Sequence, residues 1–130
     1  MLTQLTLRPM HADEFPAYRD YFVVDYADEI AANYGYTLEK SRVIARQELA
    51  DDLPQTVATL DHVLLCIEKT DGQLVGYLWY KMVDAGETAF VLDFIVFDLF
   101  RKKGYGKAAM AMLERQLSQA GVVQLKLRVA

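Results

Sequence analysis

The chain reads as an α+β protein with a mixed, mainly antiparallel sheet flanked by helices. Three observations lead there. Apolar residues step by three or four through the first part of the chain, from Phe15 to Leu53. Apolar runs joined by short turns then follow, from Val63 to Phe97. Last, a helix from Lys107 to Ala120 returns to a strand, and a strand–helix–strand return favours a parallel pair.

Taken in order, Leu2–Arg8 mostly alternates and predicts a strand that Pro9 stops. A helix follows from about Ala12, with Phe15, Tyr18, Phe22, Tyr26 and Ile30 as its apolar stripe. Asn33 and Gly35 lie past its end, where such residues commonly terminate helices. A second helix is expected over Leu38–Asp52, with Leu38, Ala45, Leu49 and Leu53 on one side and Pro54 as its stop. Strands Val63–Glu68 and Gln73–Val83 flank Asp71-Gly72, a strong hairpin turn. Ala85-Gly86 turns into a central strand, Thr88–Phe97. The final strand is Val122–Val129.

Composition narrows the class. The chain has 130 residues, enough for one domain with a single core. Apolar residues make up 53% and aromatics 12%, which excludes a disordered chain. No apolar run approaches the roughly 20 residues of a membrane span, and the start lacks a secretory signal's order. The single Cys66 sits in the apolar run Val63–Ile67 and reads as a buried, inert thiol. With no disulfide partner, a reducing cytoplasm is its natural setting.

The chemistry concentrates in Arg101-Lys102-Lys103-Gly104-Tyr105-Gly106-Lys107, between the central strand and the last helix. Two glycines at spacing two are expected to turn the backbone tightly and leave its amides uncovered. At a helix amino end, unpaired amides and the helix dipole favour an anion, and the four basic side chains add to this. Such a turn also serves simply to reverse a chain. The charge distribution decides: residues 1–60 hold five basic and ten acidic residues, residues 61–130 nine and eight. A basic focus on an acidic background marks an anion site.

Two phosphate motifs fail here. A P-loop needs four residues between its glycines and a hydroxyl after its lysine, whereas one residue separates Gly104 from Gly106 and Ala108 follows Lys107. Gly104, Gly106 and Ala109 formally fit G-x-G-x-x-G/A, but no acidic residue stands about 20 positions on to hold a ribose.

The pattern R-x-x-G-x-G, supplied by Arg101 to Gly106 after Phe94-Ile95-Val96, resembles the GNAT superfamily of acetyl-CoA-dependent N-acetyltransferases. Leu74-Val75-Gly76-Tyr77-Leu78-Trp79 is similar to that family's third strand, and Leu53-Pro54-Gln55 stands ahead of the second strand as it does there. Gly104–Gly121 resembles the pyrophosphate helix with its glycine stop. The resemblance implies one GNAT-like domain over residues 1–130, with acetyl-CoA as cosubstrate and no metal. It places the pantetheine arm along the backbone of Phe94, Ile95 and Val96, in a notch where the parallel strands splay. It gives the pyrophosphate to the segment Arg101–Lys107, chiefly the main-chain amides from Lys102 through Lys107.

It also implies direct attack of a primary amine on the thioester, which requires a neutral amine, a base and a donor for the developing oxyanion. The amide near Val96 would be that donor. Asp93, an acid interrupting an apolar strand, is the candidate base; a plain polar strand position is the alternative. Asp98 is expected to shape the turn. Some family members carry a basic glutamate on the fifth strand, where this chain has Arg128. Family domains usually continue into a further helix and strands, one bearing a tyrosine acid, so the chain resembles a C-terminally truncated form. Either it is truncated, or a second copy covers the strand Val122–Val129, since an open edge invites pairing. A homodimer through this region is expected.

The remaining candidates carry less. His11 and His62 lack cysteine or carboxylate neighbours at ligand spacing, so no metal site is expected. Tyr18, Tyr21, Tyr26, Tyr34 and Tyr36 pack a helix or edge a substrate cleft, and Asp25, Asp28 and Glu29 attract an amine or merely solvate a helix. The basic residues form a loop rather than a stripe, which argues against nucleic acid. Two functions remain: an acetyltransferase acting on a small-molecule or peptide amine, or a catalytically weak CoA-binding module.

Overall fold

The computed structural model describes residues 5–127, and the hydrophobic periods decide most of its elements. Helix α1 spans Phe15–Tyr34, preceded by a short 3₁₀ turn, and stops at Gly35, whose φ is 69°. Helix α2 spans Leu38–Asp52, and the Thr37 hydroxyl accepts the Lys40 amide at its start. The strands are β1 (Leu5–Pro9), β2 (His62–Lys69), β3 (Leu74–Val83), β4 (Thr88–Val96) and β5 (Gln124–Leu127). Helix α3, Tyr105–Gln119, lies between β4 and β5.

Residues 11–60 form one compact unit, and the described residues before 11 and after 60 form another. In the first, Val23, Ala27 and Ile30 of α1 cluster with Ala45 of α2, where small side chains let the helices approach. Leu38 is exposed rather than part of the apolar side, and Ser41 takes the buried position one turn on. Tyr18 and Phe22 are buried as the stripe predicts, with ring centroids 6.1 Å apart.

The second unit is a five-stranded sheet in the order β1-β2-β3-β4-β5. The first three pairings are antiparallel and β4–β5 is parallel, which is the mixed sheet expected. On one face Leu7, Ile67, Leu78 and Val91 form a core with Ala109, Leu113 and Leu117, the inward stripe of α3. At the β2–β3 hairpin the Asp71 carboxylate accepts the Gln73 amide at 2.9 Å, which holds its pKa below the usual carboxylate range.

Tyr80 packs partly buried against this core, and burial raises its phenol above the ordinary value. A raised pKa contributes stability below the unfolded-state value of about 10 that is lost as pH rises through the folded one. Urea unfolding between pH 8 and 11 should therefore show a loss that Tyr80→Phe reduces.

Two bulges interrupt the antiparallel pairing. Between the pairs Trp79↔Asp93 and Tyr80↔Val91, Leu92 has no opposite number. Between Ile67↔Gly76 and Glu68↔Leu74, Val75 is the extra residue. Such insertions bend a strand and re-aim the side chains beyond it. Val122 and Val123 stand ahead of β5; their amides bond to Leu117 O and Glu87 O and serve the exit from α3. The start of β1 at Leu2, and the end of β5 with Arg128 and Val129, lie outside the described residues. No helix among the described residues is long and apolar enough to cross a membrane.

Candidate active site

Strand β4 ends at Val96, and a 3₁₀ turn, Asp98–Phe100, leads into the basic loop. Lys102 has φ 61° and Gly104 φ 85°, two left-handed positions separated by one residue. Left-handed residues so close together bend the backbone sharply, and turns of this kind can present amides to an anion. Gly104 is the N-cap of α3 and supplies no side-chain cap. The first bond into the helix is Ala108 N–H to Gly104 O, so the ladder of α3 does not use the amides of Gly106 and Lys107.

Helix α3 begins two residues earlier than the sequence implies, and this changes the role of the second glycine. Gly106 is helical and is not part of the turn. A Cβ there would meet Val96 Cγ2 at 3.6 Å and Phe94 Cζ at 3.8 Å, ordinary contact distances. Only Gly104 is required by a positive φ. Tyr105 anchors the helix start, its ring 6.0 Å from that of Phe100 in an edge-on contact.

The four cations divide into two groups. Arg101 donates from Nε to Val96 O at 2.9 Å and pairs with Asp98 Oδ1 at 2.8 Å, so it ties the loop to the end of β4. Asp98 shapes the turn, as expected. Lys102, Lys103 and Lys107 are exposed and have no carboxylate partner among the described residues.

The β3–β4 register sorts the backbone of the adjoining strand. Phe97 donates its amide to Val75 O, so Gly76 and Val96 form a non-hydrogen-bonded pair and Tyr77 and Ile95 a bonded one. The main-chain groups of Ile95 therefore face β3. Those of Phe94 and Val96 face away from it, so of the three positions the resemblance names, these two can meet a ligand along that edge. The parallel ladder from β4 to β5 is described as far as Val91↔Leu127, and the notch expected beyond it lies outside the described residues.

Asp93 is half-buried and directly opposite Trp79, immediately after the Leu92 bulge. The Trp79 indole N–H donates to His62 Nδ1 at 3.0 Å. Accepting that proton requires an unprotonated Nδ1, which fixes the Nε2–H tautomer of a neutral imidazole. Asp93 lies opposite Trp79, which in turn lies opposite Leu64 and reaches His62 diagonally through its indole N–H, so the row joins β2, β3 and β4 at Trp79. Sequence reading set His62 aside and placed Trp79 only within its strand, because the row depends on register.

Other residues fall elsewhere. His11, Asp13 and Glu14 bring ligand-type atoms within 4.8 Å of one another, so His11 does have carboxylate neighbours, contrary to the sequence expectation. Glu14 is used locally, accepting the His11 amide at 2.9 Å in the turn before α1. Tyr34 and Tyr36 are exposed and stacked, with Lys40 Nζ 3.9 Å from the Tyr36 ring centre. Tyr21 and Tyr26 are half-buried on α1, while Asp25, Asp28 and Glu29 are exposed there.

The main-chain groups of Phe94 and Val96 that face away from β3 stand just ahead of the basic turn that starts α3. The chain belongs to the acetyltransferase (GNAT) family, whose sequence profile matches residues 28–130. It is 30% identical over 127 residues to the uncharacterized N-acetyltransferase YycN of Bacillus subtilis (strain 168), covering 96% of this chain and 81% of that protein. A second relative from that organism, the uncharacterized N-acetyltransferase YdgE, is 25% identical over 126 residues, covering 95% and 80%. The crystal structure of YycN superposes with a TM-score of 0.88, covering 97% of this chain and 82% of that one. The PaiA N-acetyltransferase of Thermoplasma acidophilum, solved in complex with coenzyme A, shares the fold at a TM-score of 0.67 and 16% identity, covering 97% and 79%.

Proposed function

We propose that residues 1–130 act as one acetyltransferase domain that moves an acetyl group from acetyl-CoA to a primary amine of a small molecule or peptide, by direct attack in a ternary complex. The observation that carries this is the turn at Lys102–Gly104, with its two left-handed residues and three unpaired lysines at the start of α3. Family membership and the coenzyme A complex of the PaiA neighbour support the same ligand.

The amides of Lys102 to Lys107 bond the diphosphate, and Lys102, Lys103 and Lys107 add charge. Arg101 holds the loop in place through Val96 O rather than reaching the ligand first. The outward groups of Phe94 pair with the pantetheine amides like an added strand. The Val96 amide faces the thioester oxygen as negative charge develops there. Asp93 takes the proton of the acceptor ammonium, directly or through water, so that the neutral amine attacks.

An amine panel monitored for free thiol tests the reaction: at least one amine should release CoA. Acetyl-CoA bound without any thiol release would instead mark a binding module. The base is tested separately. Asp93→Asn should lower kcat at least about a hundredfold and remove the acidic limb of the pH profile, while an unchanged rate and profile would exclude it.

The edge of the sheet at β5 carries exposed Leu127, with exposed Val123 just before it. We place a second copy of the chain there. Light scattering is expected to give the mass of a dimer, and a monodisperse monomer would contradict the pairing.

A further inference from the structure

We infer that the unit of residues 11–60 holds a second ligand site, for a small amphipathic carboxylate, in a cavity between α1 and α2. The site is independent of the acetyl-CoA reading, because every lining residue belongs to that unit and the basic loop belongs to the other. Its walls follow from helical spacing. Phe15 and Arg19 stand one turn apart on α1, Arg46 and Leu49 one turn apart on α2, and Leu53 follows as the residue that ends α2. Phe15, Leu49 and Leu53 are buried and give the cavity an apolar floor. Its volume is about 410 Å³, within the range of small-molecule sites.

Charge selects the occupant. Residues 11–60 contain ten Asp and Glu against four Lys and Arg, an unfavourable setting for an anion on average. Yet two of the four cations line the cavity and none of the ten acids does. Arg46 has no hydrogen-bond or ion-pair partner among the described residues. Arg19 reaches only its neighbour Asp20, through a long 3.4 Å contact at the surface. Two guanidinium groups with uncommitted donors above an apolar floor match one carboxylate on a hydrocarbon body, which a guanidinium can bind bidentately. A multiply charged phosphate would meet the unit's negative field with less apolar compensation.

The rim adds a backbone observation. Thr56 lines the cavity with φ 49°, a left-handed position that strains a β-branched residue. The Thr59 hydroxyl holds it there, donating to Thr56 O at 2.8 Å and accepting the Gln55 amide. The turn after α2 is thereby fixed at the cavity mouth.

Calorimetric titration of the full chain with octanoate, octanol and octylammonium tests the site. Octanoate should bind saturably at one site per chain, and the alcohol and the amine should bind at least about tenfold more weakly. Arg46→Gln and Arg19→Gln should each weaken octanoate by about tenfold, with melting temperatures close to that of the parent. No saturation at millimolar octanoate, equal affinity for octanol, or unchanged affinity in both variants would each overturn the assignment. A failure of acetyl-CoA binding would leave these outcomes unaffected.

Discussion

Replacing Gly104 with valine is expected to lower acetyl-CoA affinity by at least about a hundredfold while the sheet stays folded. At φ 85° a β-branched residue is strongly disfavoured, so the turn must leave the left-handed region. The amides after it then rotate away from their common focus. Losing two hydrogen bonds to a charged group, each worth about 1.5–3 kcal/mol, accounts for the hundredfold change or more. The loop is exposed, so the cost to stability is only the local strain of about 1–3 kcal/mol. Titration calorimetry together with a melting curve separates the two effects. Undiminished affinity would remove the loop from the cofactor site.

The second large effect concerns Gly76. A Cβ there would lie 2.0 Å from Ile95 O and 3.2 Å from Val96 Cα, both backbone atoms that cannot step aside. Gly76→Ala should therefore destabilise the β3–β4 pair by about 3 kcal/mol in urea unfolding. It should also weaken acetyl-CoA if, as proposed, the displaced segment is the one that meets the arm. Gly106→Ala is the contrast: its Cβ has ordinary contacts within a helix, and Ala is favoured over Gly there by up to about 1 kcal/mol. A Gly76→Ala variant within about 0.5 kcal/mol of the parent would contradict the register described here.

Local chemistry was legible in the sequence, and long-range register was not. The apolar spacing and Pro54 predict α2 over Leu38–Asp52, and Asp71-Gly72 predicts the β2–β3 hairpin; both stand in the structure. The basic turn, its place between β4 and α3, and the parallel β4–β5 pair were equally readable. Gly106 was misread as part of the turn because a glycine in a helix's first turn looks the same on paper as one in a loop. The bulge at Leu92 carries no local signal, yet it decides that Asp93 lies opposite Trp79. The inward-facing main chain of Ile95 has the same origin. The α1–α2 cavity escaped notice because Arg19 and Arg46 lie 27 positions apart and are brought together only by helix packing.

We assign the acetyl-CoA diphosphate to the main-chain amides from Lys102 to Lys107. Amide ¹H–¹⁵N spectra recorded during an acetyl-CoA titration test it most directly. The largest downfield proton shifts are expected on Gly104, Gly106 and Lys107, and inorganic pyrophosphate alone should reproduce part of them. Saturation with acetyl-CoA that leaves those three amides unmoved would contradict it.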